Sequence, residues 1–149
     1  MPCNTNSLIF LVITLVKFLT YYKMNITQLH NKGNHLIIDG ISTAKIESKE
    51  FISKFLTRTT KQIKMKAISK PFVLHHKAKV KSESGITGVI ILAESNITIH
   101  TYPEKKQIYL DLFSCNEFPI EKTIKYIVKE LKITKYKKKI LKRSIKWNQ

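Results

Sequence analysis

Cysteine, glycine, proline and arginine are all scarce in this 149-residue chain, and each shortage closes a class of explanation. Two cysteines, Cys3 and Cys115, exclude a disulfide framework or a cysteine-based zinc cluster and fit a reducing, cytoplasmic compartment. Four Gly and four Pro leave little room for linkers or low-complexity sequence. Only 10 acidic residues stand against 27 basic ones, a formal net charge of +17. Arg58 and Arg143 are the only arginines, so the excess is lysine, which AT-rich coding sequences accumulate together with Ile and Asn. Lysine charge alone gives salt-sensitive, unspecific contact with polyanions. No glycine-aromatic RNA-binding signature, zinc finger or recognition helix accompanies it. A small basic nucleic-acid-binding module is kept as the alternative of a different class, with no specific nucleic acid expected. There is no internal repeat, Walker loop, dinucleotide fingerprint or metal-spaced His pair, so no metal is expected either.

Hydrophobic residues make up 43% of the chain and charged ones 25%, a composition that folds, at a length that supports one core. Residues 1–23 carry an apolar stretch, 7–22, interrupted by Lys17 and shorter than the ~20 residues of a membrane span. It lacks the flanks of a signal peptide, and Met24 offers a second start. These residues are therefore read as an extension or a mis-assigned start rather than a membrane anchor. A single domain is expected over 24–134. Within it, 35–41 reads as a buried strand, and 48–64 places Phe51, Ile52, Phe55, Leu56 and Ile63 at helical spacing. Residues 65–80 are strand-like, with Pro71 favouring an edge. Strands follow at 86–95, 96–102 and 107–115, and an amphipathic helix at 118–132 presents Ile120, Ile124, Ile127, Val128 and Leu131 on one face. Residues 135–149 read as a basic tail, a solvated face or frayed end. The order β-α-β-β-β-β-α predicts an α+β two-layer sandwich, a mostly antiparallel sheet with helices packed on one face.

Between Gly85 and Cys115 lie most of the side chains that can do chemistry: Glu94 and Ser95 at a strand end, then His100, Glu104 and Cys115. Taken singly each has a bland reading. A Glu-Ser pair after an apolar strand is a turn, a lone His on an alternating strand is structural, and Cys115 is a small buried hydrophobe. Their order is more specific. The run Glu94-Ser95-x4-His100-Thr101-Tyr102-Pro103-Glu104, preceded by Gly85-Ile86-Thr87-Gly88, strongly resembles the prokaryotic-type S-adenosylmethionine decarboxylase proenzymes. The resemblance extends from about Gly33 to Leu131.

That resemblance implies autocatalytic serinolysis between Glu94 and Ser95. The Ser95 hydroxyl attacks the Glu94 carbonyl to give an ester, and β-elimination releases residues 1–94. Residue 95 then becomes a pyruvoyl group heading the second chain. Serine is needed because its oxygen is first nucleophile and then leaving group. The pyruvoyl group would form a Schiff base with the substrate amine and act as electron sink, with neither pyridoxal phosphate nor metal required. By the same resemblance His100 transfers a proton during processing, and Thr87 supports it through its hydroxyl. Cys115 returns a proton to the product carbon, a thiol pKa of ~8.5 suiting it to that task. Glu104 and Tyr102 bind substrate, the carboxylate accepting ribose hydroxyls. Thr87 read by itself is a β-branched strand residue, and Glu104 a solvated turn residue beside Lys105 and Lys106. The family further implies a homodimer of cleaved protomers and a place in spermidine biosynthesis.

Two stretches depart from the family pattern. An aromatic residue and Pro usually precede the Gly85 position, where this chain reads Lys81-Ser82-Glu83-Ser84. The loop after the first strand usually carries Tyr-Gly-Cys-Asp, and here Asp39-Gly40-Ile41-Ser42 stands. Processing residues are thus intact where substrate-binding residues have drifted, so arginine or ornithine decarboxylation by the same chemistry is the alternative within the family.

Overall fold

The computed structural model describes residues 13–18 and 33–144, and the chain divides into two units, 1–30 and 31–149. Of the first unit only residues 13–18 are described, and they are helical. The rest of the apolar 7–22 stretch, Met24 and residues 145–149 lie outside the described residues. Among those described, no helix is long and apolar enough to cross a membrane.

The second unit is one six-stranded antiparallel sheet with two helices on one face. Its elements are β1 (Gly33–Ser42), α1 (Lys49–Gln62), β2 (Phe72–His76), β3 (Gly85–Leu92), β4 (Ser95–Tyr102), β5 (Gln107–Ser114), α2 (Ile120–Glu130) and β6 (Ile133–Arg143). Strand order across the sheet is β2-β3-β4-β5-β1-β6. The α+β two-layer arrangement is therefore the one expected from the element order.

Period-two alternation decides what each strand buries. Leu36 and Ile38 of β1, Ile86 and Ile90 of β3, Ile97 and Ile99 of β4, and Ile108, Leu110 and Leu112 of β5 point to the helical layer and are inaccessible to solvent or nearly so. Ile52, Phe55 and Leu56 of α1 and Ile124 and Ile127 of α2 meet them. Ser48 begins α1 as its N-cap, its hydroxyl accepting the Phe51 N–H at 3.2 Å, a bond that satisfies one of the helix's orphan donors. Thr59 and Thr60, polar but buried on the same face, donate their hydroxyls to the carbonyls of Phe55 and Leu56 one turn back.

Two motif glycines are explained by packing. A Cβ on Gly85 would collide with the Thr101 carbonyl oxygen of the neighbouring strand. One on Gly88 would come within 2.8 Å of the Ile52 methyl and 3.0 Å of Leu56, so its absence seats α1 against β3.

Three expectations are corrected. Pro71 does precede an edge strand, but that strand spans only Phe72–His76. Asp39-Gly40-Ile41-Ser42 is the last part of β1, paired on both sides, and not a loop. Most of the basic tail is strand: residues 135–143 belong to β6, antiparallel to β1 from Ser42↔Ile133 to Gly33↔Arg143. The alternation there was hidden because an edge strand buries little and lysine points to both faces. Lys138 reaches the helical layer and ion-pairs with Glu121 of α2 at 2.8 Å. Lysines along an edge also discourage pairing with a further strand.

The other face of the sheet is covered by neither α1 nor α2. It presents Phe72, Leu74, Val89 and Ile91 on the β2–β3 side. Toward β6 lie a His35–Asp111 pair at 2.8 Å and Arg143 over the Phe113 ring at 4.4 Å.

Candidate active site

The β3–β4 hairpin turns through Ala93 and Glu94, with Leu92 paired to Ser95. Ser95 is thus the first residue of β4 and lies between β3 and β5, across from Ser114. Its side chain points to the helical layer and is buried. The hydroxyl donates to Ser114 Oγ at 2.8 Å. On the other side of the Glu94–Ser95 bond, the Glu94 carbonyl oxygen accepts the Cys115 backbone N–H at 3.1 Å. The Glu94 carboxylate accepts the side-chain amide of Asn116. Glu94, Ser95 and Cys115, twenty residues apart in sequence, are therefore brought together at one end of the sheet because β4 and β5 are neighbours. Glu94 and Ser95 line a cavity of about 290 Å³ together with Lys64, Lys66, Leu92 and Asn116. Cys115 is a free, half-buried thiol.

His100, Thr87 and Tyr102 form a second group, on the face opposite α1 and α2. Thr87 and His100 are directly opposite in the β3–β4 register, and Thr87 Oγ1 is 2.5 Å from His100 Nδ1. That contact fixes the ring's orientation and leaves Nε2 to face outward from the pair. Tyr102 packs edge-on against His100 with centroids 4.8 Å apart, and Tyr109 of β5 packs edge-on against Tyr102 at 6.1 Å. His100 stands five positions after Ser95, an odd offset, so the two leave β4 on opposite faces. Five residues also span about 17 Å of strand. Within one chain the structure does not bring His100 to Ser95.

Glu104 belongs to a third place, the short 3-10 turn Pro103–Lys105 at the far end of β4. Its carboxylate pairs with Lys81 Nζ at 2.8 Å, and the carboxylate beside Lys81 holds that ammonium above its ordinary value. Both residues line an open cleft of about 410 Å³ together with Glu47, His75, Lys77 and Lys79. Lys81, at the position where the family pattern has an aromatic ring, thus sits on the carboxylate that the resemblance assigns to substrate.

Sequence reasoning did not single out Ser114, Asn116 or the Cys115 N–H. One signal for Ser114 was available. The inward positions of 107–115 read Ile108, Leu110, Leu112 and then Ser114, a break from apolar to polar at a position the alternation assigns to the core. A backbone N–H such as that of Cys115 leaves no mark in a sequence. Among the described residues, no group of His, Cys, Asp or Glu is arranged to hold a metal ion.

A family profile described as S-adenosylmethionine decarboxylase matches residues 34–144. The S-adenosylmethionine decarboxylase proenzyme of Clostridium botulinum (strain Langeland) is 33% identical over 102 residues, covering 66% of this chain and 83% of that protein. The proenzyme of the same name from Hydrogenobaculum sp. is 34% identical over 116 residues, covering 76% of this chain and 82% of that one. Among solved structures, the adenosylmethionine decarboxylase of Aquifex aeolicus superposes with a TM-score of 0.62 at 28% identity, covering 80% of this chain and 98% of that one.

Proposed function

The chain belongs to the S-adenosylmethionine decarboxylase family, and from that premise we propose that it is a proenzyme that cuts itself between Glu94 and Ser95 and then decarboxylates S-adenosylmethionine, a carboxy-lyase reaction feeding polyamine synthesis. The observation that carries this reading is the pair of contacts on the scissile peptide: a nucleophile hydroxyl held in place at Ser95, and an N–H donor on the Glu94 carbonyl oxygen.

Self-cleavage begins as Ser95 Oγ bonds to the Glu94 carbonyl carbon. Negative charge develops on the Glu94 oxygen, where the Cys115 N–H is already directed. The C–N bond breaks and the hydroxyl proton ends on the freed Ser95 nitrogen, leaving an ester. A base then removes the Ser95 α-proton, the Cβ–Oγ bond breaks, and Glu94 departs as a carboxylate. The dehydroalanine left behind takes up water and loses ammonia. The residues fit the resulting pyruvoyl group: position 95 adjoins a cavity, with the Cys115 thiol on the neighbouring strand end. When formed, that group supplies the electron sink for loss of carbon dioxide. Cys115 is then the proton donor to the product carbon, and a thiol that must stay reduced for this suits a cytoplasmic enzyme.

His100 is assigned the α-proton, with Thr87 orienting its ring. Because His100 and Ser95 of one chain lie on opposite faces and about 17 Å apart, the reading includes a homodimer in which the second copy's His100 serves the cleavage site. The sheet face opposite α1 and α2, with Phe72 and Leu74 more than half exposed, is the surface that such a partner covers. Glu104 and Tyr102 are assigned to substrate, with Lys81 displaced from Glu104 when ribose hydroxyls bind.

Intact mass of the purified, denatured protein tests the reading. Two chains, 1–94 and 95–149, the second with a pyruvoyl terminus, are expected, together with carbon dioxide release from carboxyl-labelled S-adenosylmethionine. A single uncut chain after long incubation refutes it. A cut chain that releases carbon dioxide from arginine or ornithine instead keeps the chemistry and replaces the substrate.

A further inference from the structure

We propose that Ser114 is a positioning residue for self-cleavage: it is the acceptor that orients the Ser95 hydroxyl for attack. The inference rests on the reading of Ser95 as the cleaved residue and goes beyond it, because nothing in the motif assigns Ser114 a role.

The direction of each hydrogen bond decides the matter. Ser114 Oγ lies 2.8 Å from the Asn116 carbonyl oxygen, which can only accept, so the Ser114 hydrogen is committed there. Asn116 returns its own N–H to Ser114 Oγ at 2.9 Å. Ser114 therefore has no hydrogen to offer Ser95, and the 2.8 Å contact between the two hydroxyls must run from Ser95 to Ser114. A serine hydroxyl whose hydrogen is held in one direction turns its lone pairs in the others, and the scissile carbonyl is among the groups next to it.

The same strand end treats the two ends of the reacting system at once. Ser114 holds the nucleophile's hydrogen, and the next residue, Cys115, holds the oxygen that becomes negative. Both are set by one piece of backbone, the end of β5, so they keep register with each other. Ser114 is fully buried, a position where an unused hydroxyl is costly. In the acyl shift the Oγ–C bond forms and the C–N bond breaks. The hydrogen that Ser114 orients finishes on the Ser95 nitrogen, so Ser114 is unchanged and no co-reactant is needed.

The test uses the full chain with Ser114→Thr, Ser114→Ala and Ser114→Val, refolded from denaturant and followed by intact mass. Ser114→Thr keeps the acceptor and should cleave close to the parent rate. Ser114→Ala and Ser114→Val should slow cleavage about tenfold or more, the loss expected for one buried hydrogen bond. Hydroxylamine, which cuts esters, supplies the readout that a merely structural role would not move. Losing Ser114 should slow ester formation, so that no ester accumulates, whereas loss of the α-proton base lets ester build up. A folding defect instead lowers the fraction that ever cleaves and leaves the rate constant of that fraction alone. Thermal unfolding of the same substitutions in a Ser95→Ala chain measures that defect separately. Parent-like rate constants in Ser114→Val, or a Ser114→Thr chain as slow as Ser114→Ala, would overturn the proposal. If the parent chain itself stays uncut, the proposed function has failed and the inference with it.

Discussion

The two halves of β4 carry chemistry in opposite directions. At its start, Ser95 faces the helical layer, is buried, and donates its hydroxyl to Ser114 at the end of β5. Toward its end, His100 and Tyr102 face the side opposite α1 and α2, and their partners are Thr87 of β3 and Tyr109 of β5. In the first half, the Ser95 and Ser114 hydroxyl hydrogens and the Asn116 N–H are all placed within one chain. The second half faces away from Ser95. An odd spacing along one strand therefore puts a buried hydroxyl and an outward imidazole on opposite faces; on the proposed reading these are nucleophile and base, which makes association part of the proposed chemistry.

That contrast can be broken most directly at Ser95. Ser95→Ala should abolish cleavage entirely, leaving one intact chain by mass with a native circular-dichroism spectrum, since only a methylene-linked hydroxyl is removed. Next in size is His100. Its loss should slow ester breakdown by roughly 10²-fold or more, the usual contribution of a positioned acid or base, with ester accumulating as hydroxylamine-sensitive protein. Co-expressing Ser95→Ala with His100→Ala chains should restore cleavage of the His100→Ala chain, because each mixed dimer has one complete site. Absence of rescue would put the base within the chain and dissolve the comparison.

Stability should divide the two faces as well. Leu110 and Tyr109 are adjacent on β5, but Leu110 is wholly buried and Tyr109 is 40% exposed. In the uncleavable Ser95→Ala background, Leu110→Ala should cost about 2–5 kcal/mol by denaturant unfolding. Tyr109→Ala at high dilution should stay within about 0.5 kcal/mol and instead weaken association measured by sedimentation.

The smallest effect concerns Lys81. Its ammonium is held above the ordinary lysine value by Glu104, so the pair persists through neutral pH and is lost only as pH rises through that raised value. KM for S-adenosylmethionine should therefore be insensitive to lysine titration across the neutral range yet fall with added salt, which screens an exposed pair. Lys81→Phe should lower KM by roughly two- to fivefold with kcat unchanged. A KM that rises instead would assign Lys81 to substrate binding.

Much of the fold was legible because burial wrote it into the side chains. The inward Ile and Leu of β3, β4 and β5, and the stripe of Ile120, Ile124 and Ile127 on α2, are patterns that a core requires. The glycines of Gly85-Ile86-Thr87-Gly88 were legible as a motif, and their cause, close approach to Thr101 and to Ile52, was not. β6 was misread because its stabilisation is backbone pairing to β1, which any side chain permits, and because its lysines face both water and Glu121. Of the candidate site residues, Glu94, Ser95, His100, Glu104 and Cys115 could be named through the family resemblance that their order carries. Their division into three places could not.

The sequence by itself determined which residues are able to react, since a hydroxyl, an imidazole, a thiol and a carboxylate have their chemistry wherever they stand. It also determined the faces of each strand, because alternation has a fixed period. Only the tertiary structure decided which of these groups meet. Strand order set Cys115 beside Glu94 and Ser114 beside Ser95 across some twenty residues of chain, and it left Lys81 on Glu104 at the other end. The physical reason is that hydrogen bonds and ion pairs act over a few ångströms of space, and distance in space is fixed by pairing between strands, not by position along one.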